Sequence, residues 1–344
     1  RFLQIFNKQC VTTYNGDKHY FEKLASTCPH LKTAKDASLF VLHKLFYYLE
    51  NPNIDASLLK RAIKLLFGWS CVRDENGHGR HMIEMDKEAM SRLFAIHADI
   101  FSRHQNNVAL YRVRRQFYQS IMNFATEGNQ PPSMRIAILQ SFSERIASAV
   151  NGTVSDRFVV MGVLVDLRGM VGLLWDSRMY VKFYKWLVPH IQPICTLIAK
   201  FDGYLDVAGT VAKLLIGIVN QFMRHSFMNN KTSFFPIFEP IAHAFNNLSV
   251  VALFHSNQIA ERVKIHRWML QLWNALMCKP MYVDAIRYFS EGHFCGMMNI
   301  ALGILQEADS IAMYARIAPP MYAMIHTMYN IAPDFLLRQL PHLD

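Results

Sequence analysis

The stretch LDVAGTVAKLLIGIVNQFMRHS, residues 205–226, decides the fold class. Its apolar side chains Val207, Ala208, Val211, Leu214, Leu215, Ile218 and Phe222 recur at spacings of three and four. At 3.6 residues per turn such spacings gather on one face of a helix, whereas a strand would need strict alternation. The same stripe returns in both directions. Leu39, Leu42, Leu45, Phe46 and Leu49 form one, as do Leu58, Leu59, Ala62, Ile63, Leu66 and Trp69, and also Met269, Leu272, Trp273 and Leu276. Strand-like alternation is nearly absent, and Asn76-Gly77 and Asn151-Gly152 read as turns between helices.

Breakers cut the chain into helix-sized pieces. Pro29, Pro52, Pro131-Pro132, Pro236, Pro240, Pro280, Pro319-Pro320 and Pro333 are expected near segment ends, where a missing N–H is tolerated. Asp55 and Ser133 are candidate N-caps. The expected helices are 36–50, 55–72, 86–103, 107–126, 133–150, 156–174, 177–200, 205–226, 232–247, 257–277, 281–289, 293–306, 309–329 and 333–341. Pro189 and Pro193 should kink or split the helix over 177–200, and 73–85 reads as a polar loop. One pair of helices with its links takes roughly 40 residues, near the HEAT and armadillo range. The expected fold is therefore all-α: a single continuous α-solenoid of HEAT/armadillo-like antiparallel helix pairs over residues 1–344. The chain starts at Arg1 without an initiator methionine, so it is expected to be a piece of a longer protein.

Composition narrows the function classes. Of 344 residues, 52% are hydrophobic, enough for a large core and too many for a disordered chain. Six cysteines are scattered without a CxxC pair, which fits reduced thiols in cytosol or nucleus. Asn-x-Ser/Thr triplets at Asn151, Asn230 and Asn247 carry no weight without a secretory signal. The most apolar run, Val159 to Trp175, has Asp166 and Arg168 near its middle, so no membrane insertion is expected. The net charge of +10 is spread out. Its densest cluster is Arg112, Arg114 and Arg115, followed by Phe117 and Tyr118; it reads first as a solvated face, and next as a surface for an acidic protein. No nucleic-acid motif accompanies it, so no nucleic-acid partner is expected.

The residues offer little chemistry. GxxxxGK[ST], GxGxxG, HExxH and GxSxG are all missing, and no catalytic residues or cofactor are expected. His78, His81 and Glu84 lack the further ligand that zinc needs, and His97, Asp99 and His104 fail for the same reason. Cys295, two residues from His293, reads as a packed thiol. The methionines Met297, Met298, Met313, Met321, Met324 and Met328 could line an adaptable groove but read first as core.

One segment resembles a known family. Val163-Leu164-Val165-Asp166-Leu167-Arg168-Gly169, then Phe183-Tyr184-Lys185-Trp186-Leu187-Val188-Pro189 and Pro193-Ile194, is similar to the exportin-7 family of Ran-binding receptors in the importin-β superfamily. Lys213-Leu214-Leu215 and the run Thr232 to Glu239 continue the resemblance, which is good over about 155–245 and looser outside. It implies a nuclear export receptor that holds cargo protein together with Ran-GTP, meets nucleoporins, and shuttles between nucleus and cytoplasm. The family's main Ran surface lies in N-terminal repeats, so this chain would be a middle-to-C-terminal part supplying curvature, cargo surface or secondary Ran contacts. Asp166 and Arg168, with Arg112 and Arg115, are the candidate partner-facing residues. Asp166 and Arg168 also suit a structural ladder between neighbouring repeats; two positions apart, they need different partners. An import receptor of the same superfamily and a non-transport helical scaffold are the alternatives.

Overall fold

The computed structural model describes residues 26, 34–70, 72–73, 79–80, 87–97, 99–126, 132–172, 177–225, 235–255, 258–278, 283, 291–306, 311–331 and 333. Among these the protein is all-α. Helices α1 (Ala34–Leu49) and α2 (Ala56–Ser70) precede a two-residue antiparallel ladder, β1 (Val72–Arg73) with β2 (Gly79–Arg80). Then come α3 (Lys87–Ile96), two 3-10 turns (Ser102–His104 and Val108–Leu110), α4 (Tyr111–Thr126), α5 (Pro132–Val150) and α6 (Arg157–Val171). The rest are α7 (Ser177–Lys200), α8 (Leu205–Arg224), α9 (Phe235–Phe254), α10 (Ile259–Met277), α11 (Glu291–Gln306) and α12 (Ile311–Ile331).

Several boundaries fall where the sequence puts them. Asp55 caps α2 by accepting from the Ser57 amide at 2.8 Å, and the Ser57 hydroxyl first and this amide second hold its carboxyl below the usual aspartate value. Gly152 sits at φ +82°, the left-handed turn that Asn151-Gly152 implied. Other expectations fail. Ser133 lies inside α5, which starts at Pro132, and is not its cap. The ladder Val72↔Arg80, Arg73↔Gly79 stands where a polar loop was expected. Residues 86–103 give a shorter helix followed by a 3-10 turn. Helix α9 runs seven residues past its expected end at 247. The helices expected at 281–289 and 333–341 lie largely outside the described residues, as do Asn76-Gly77, His78, His81 and Glu84.

The prolines mark fewer ends than expected. Helix α7 continues unsplit through Pro189 and Pro193, and Pro240, Pro319 and Pro320 are interior to α9 and α12. In α7, Leu187, Ile191, Ile194 and Ile198 are buried on both sides of the prolines. The carbonyls that lose a helical donor belong to Lys185 and Pro189, both exposed residues where water is at hand.

The chain divides into two compact units, residues 1–141 with 165–174, and 142–164 with 175–344; the divisions fall inside α5 and α6. In the first unit α1 packs on α2 and α3, α2 on α4, and α3 on α4. In the second, α7, α9 and α11 form one row, and α8, α10 and α12 another; consecutive members of one row meet, and so do sequence neighbours across rows from α7 to α11. Leu214, Leu215, Ile218 and Phe222, from the stretch that decided the fold class, are fully buried there. By length and composition α8 and α9 could cross a membrane. Of those apolar windows 67% and 50% are buried against other helices, which accounts for their character without a bilayer.

Side-chain bonds across each row keep a common stride. Arg92 to Glu50 spans 42 residues, Asn123 to Ser70 spans 53 and Arg114 to Asp166 spans 52 in the first unit. His190 to Ser143 spans 47, Lys200 to Ala149 spans 51 and Asn274 to Pro320 spans 46 in the second. The order rises together along both partners, as with 114–166 and 119–172, so helices two apart in sequence run parallel. The stride exceeds the roughly 40 residues expected per pair.

Candidate functional site

Helix α4 and the C-terminal half of α6 bring the four candidate residues into one region of the first unit. A 3-10 turn, whose Asn107 side chain accepts from the Ala109 amide at 3.1 Å, leads into α4. That helix points Arg114, Phe117, Tyr118 and Ile121 inward. Their spacing of three, four and seven is that of a buried stripe, so Arg114 sits at an apolar position.

Burial of Arg114 is matched by an acid. Its Nε and Nη2 donate to Oδ1 and Oδ2 of Asp166 at 2.8 and 2.7 Å, a two-pronged bond between residues 5% and 0% exposed. The guanidinium also lies 4.7 Å from the centre of the Phe101 ring, which stacks edge-on to Phe117. Asp166 is thus inside the unit, held by α4, and cannot touch a partner in this conformation. A charge at zero exposure survives only when both oxygens are satisfied, and Arg114 supplies that.

The other three candidates are reachable. Arg112 is exposed, and Arg115 and Arg168 are half-buried. Burial, and then the Arg115 charge beside it, holds the Arg168 guanidinium below the usual arginine value. Gly169 explains how the two helices come so close. A Cβ there would collide with the Arg115 backbone, lying 3.1 Å from its carbonyl carbon and Cα. Gln119 Nε2 fastens the end of the seam by donating to the Gly172 carbonyl at 3.1 Å.

The remaining candidates do not converge. The His97 ring stacks on Phe94, with Nδ1 2.5 Å from the Phe94 carbonyl, and Tyr118 donates to the His97 carbonyl at 2.7 Å. His104 Nε2 meets the Ile54 carbonyl at 3.3 Å. No cluster of three or more metal-ligating residues forms among the described residues. His293 packs against His243, with ring centres 5.0 Å apart, and among the described residues no hydrogen bond joins it to Cys295. Met297, Met298, Met321, Met324 and Met328 are buried core. A groove of about 310 Å³ in the first unit is lined by Leu49, Glu50, Ile54, Asp99 and His104; its Glu50 is engaged by Arg92 at 2.7 and 2.8 Å.

Sequence reasoning passed over one polar joint in the second unit. Trp186 Nε1 donates to Ser143 Oγ at 3.0 Å, and Ser143 Oγ lies 3.0 Å from His190 Nε2. Burial holds the His190 imidazole below its usual value, which favours the neutral ring able to accept the hydroxyl proton. Trp186, four residues before His190, was the available signal, since i, i+4 neighbours share a helix face.

The chain matches no protein-family model, no curated protein and no solved structure.

Proposed function

We propose that this chain is a partner-binding segment of an α-solenoid receptor that carries cargo protein through the nuclear pore together with Ran-GTP. One observation carries the solenoid part: within each unit, parallel helices two apart are bonded at a stride of 42–53 residues. A repeated stride of that size is what stacked helix pairs produce, and stacking leaves a long surface as the working part. The export role is supported by the resemblance over about 155–245, whose Asp166, Arg168 and Gly169 lie at the α4–α6 seam. Broad contacts on stacked repeats are individually weak, so a small change of pitch can release a partner.

The test is titration of the chain with Ran bound to a non-hydrolysable GTP analogue and with Ran-GDP, beside an unrelated helical protein. A clear preference for the GTP state over that control supports the role, and cargo retention in its presence assigns export over import. Equal or no affinity in both states removes the transport role and leaves a scaffold.

A further inference from the structure

Arg115 and Arg168 lie on the same seam, where the backbone at Gly169 meets that of Arg115. Among the described residues neither makes a salt bridge or a side-chain hydrogen bond, while the adjacent Arg114 is bonded to Asp166. Arg168 is disfavoured as a cation by burial first and by the Arg115 charge second. The tight approach at Gly169 enforces this neighbourhood, because it draws the α6 backbone onto that of Arg115. Arg112 adds a third, exposed charge one turn earlier on α4. A guanidinium offers a planar fork that grips a carboxylate through two N–H bonds, and gains most where water is already partly excluded.

We infer that Arg115 and Arg168, flanked by Arg112, form a clamp for the carboxylates of an acidic polypeptide segment on a partner protein. The occupant is a peptide and not a nucleic acid, because the cationic patch is short. On the same edge of α4 the next polar side chain, Gln119, is spent on the Gly172 carbonyl, and a nucleic-acid strand needs a basic stripe several phosphates long. The clamp rests on the reading of this chain as a partner-binding surface but not on Ran.

Fluorescence anisotropy with oligoglutamate, oligolysine and single-stranded oligonucleotide probes tests it. The wild-type chain should bind oligoglutamate in preference to the other two. The double substitution Arg115→Gln/Arg168→Gln should weaken that binding tenfold or more, roughly the loss of one good charge-assisted contact. Arg112→Gln should weaken it less, Lys182→Gln on α7 not at all, and Arg115→Lys/Arg168→Lys should recover only part, because an ammonium lacks the fork. The unfolding midpoint of the Gln double variant should stay level or rise as repulsion is relieved. Equal oligoglutamate binding by wild type and double variant overturns the clamp. So does preference for the oligonucleotide, or a falling midpoint that would mark the pair as structural. Oligoglutamate binding without any Ran preference leaves the clamp and removes the transport role; the converse result removes the clamp alone.

Discussion

At the scale of single residues, the buried pair Arg114–Asp166 separates a charge that holds the fold from charges left for other work. With both partners almost wholly buried, removing one strands the other in a poor solvent. Asp166→Asn should therefore lower stability by roughly 3–5 kcal/mol in urea unfolding, while Arg114→Met/Asp166→Leu should lie much closer to wild type. Equal losses in the single and double variants would show that packing, not charge, dominates the site. His190 gives a pH signature. Its folded value lies below the ordinary 6.5 of the unfolded chain, so the unfolded state takes up protons first as pH falls. Stability should be complete above that value and decline as pH drops through it toward the folded value. Thermal unfolding of His190→Gln across the same range should show a shallower decline, and an unchanged slope would refute the assignment.

At the scale of elements, glycine has opposite meanings in two helices. At Gly169 a Cβ would strike the Arg115 backbone, which cannot swing away as a side-chain tip can. At Gly68 in α2 it would meet nothing within 4 Å. Gly169→Ala should cost on the order of 1–3 kcal/mol from overpacking. Gly68→Ala should gain roughly 0.5–1 kcal/mol by restricting the unfolded chain. Urea midpoints moving the same way for both would disprove the close approach of α4 and α6. Proline teaches the same lesson: Pro189 and Pro193 looked like breaks, yet buried neighbours on either side hold α7 in one piece.

At the scale of the whole molecule, protection should follow the number of flanking helices. In the second unit α8, α9 and α10 each pack against at least three others, whereas α12 packs chiefly on α10. Opening one of the inner three exposes apolar surface on several neighbours at once, so their amides should exchange slowest and those of α12 markedly faster. Uniform exchange across α8 to α12 would mean that the second unit opens as one body and that stacking order carries no energetic weight.

Sequence alone determined the all-α class, the cap at Asp55, the turn at Gly152 and most helix boundaries. These follow from apolar spacing and backbone chemistry, which act over a few residues. It also marked Asp166 and Arg168 as two charges in an apolar helix, too close in sequence to share a helix face. Only tertiary structure decided that Asp166 belongs to Arg114, that Arg168 meets Arg115, and that Ser143 meets His190. Each of those pairings joins helices about 50 residues apart, a distance over which local propensity has no reach and only the packing of whole helices sets who touches whom.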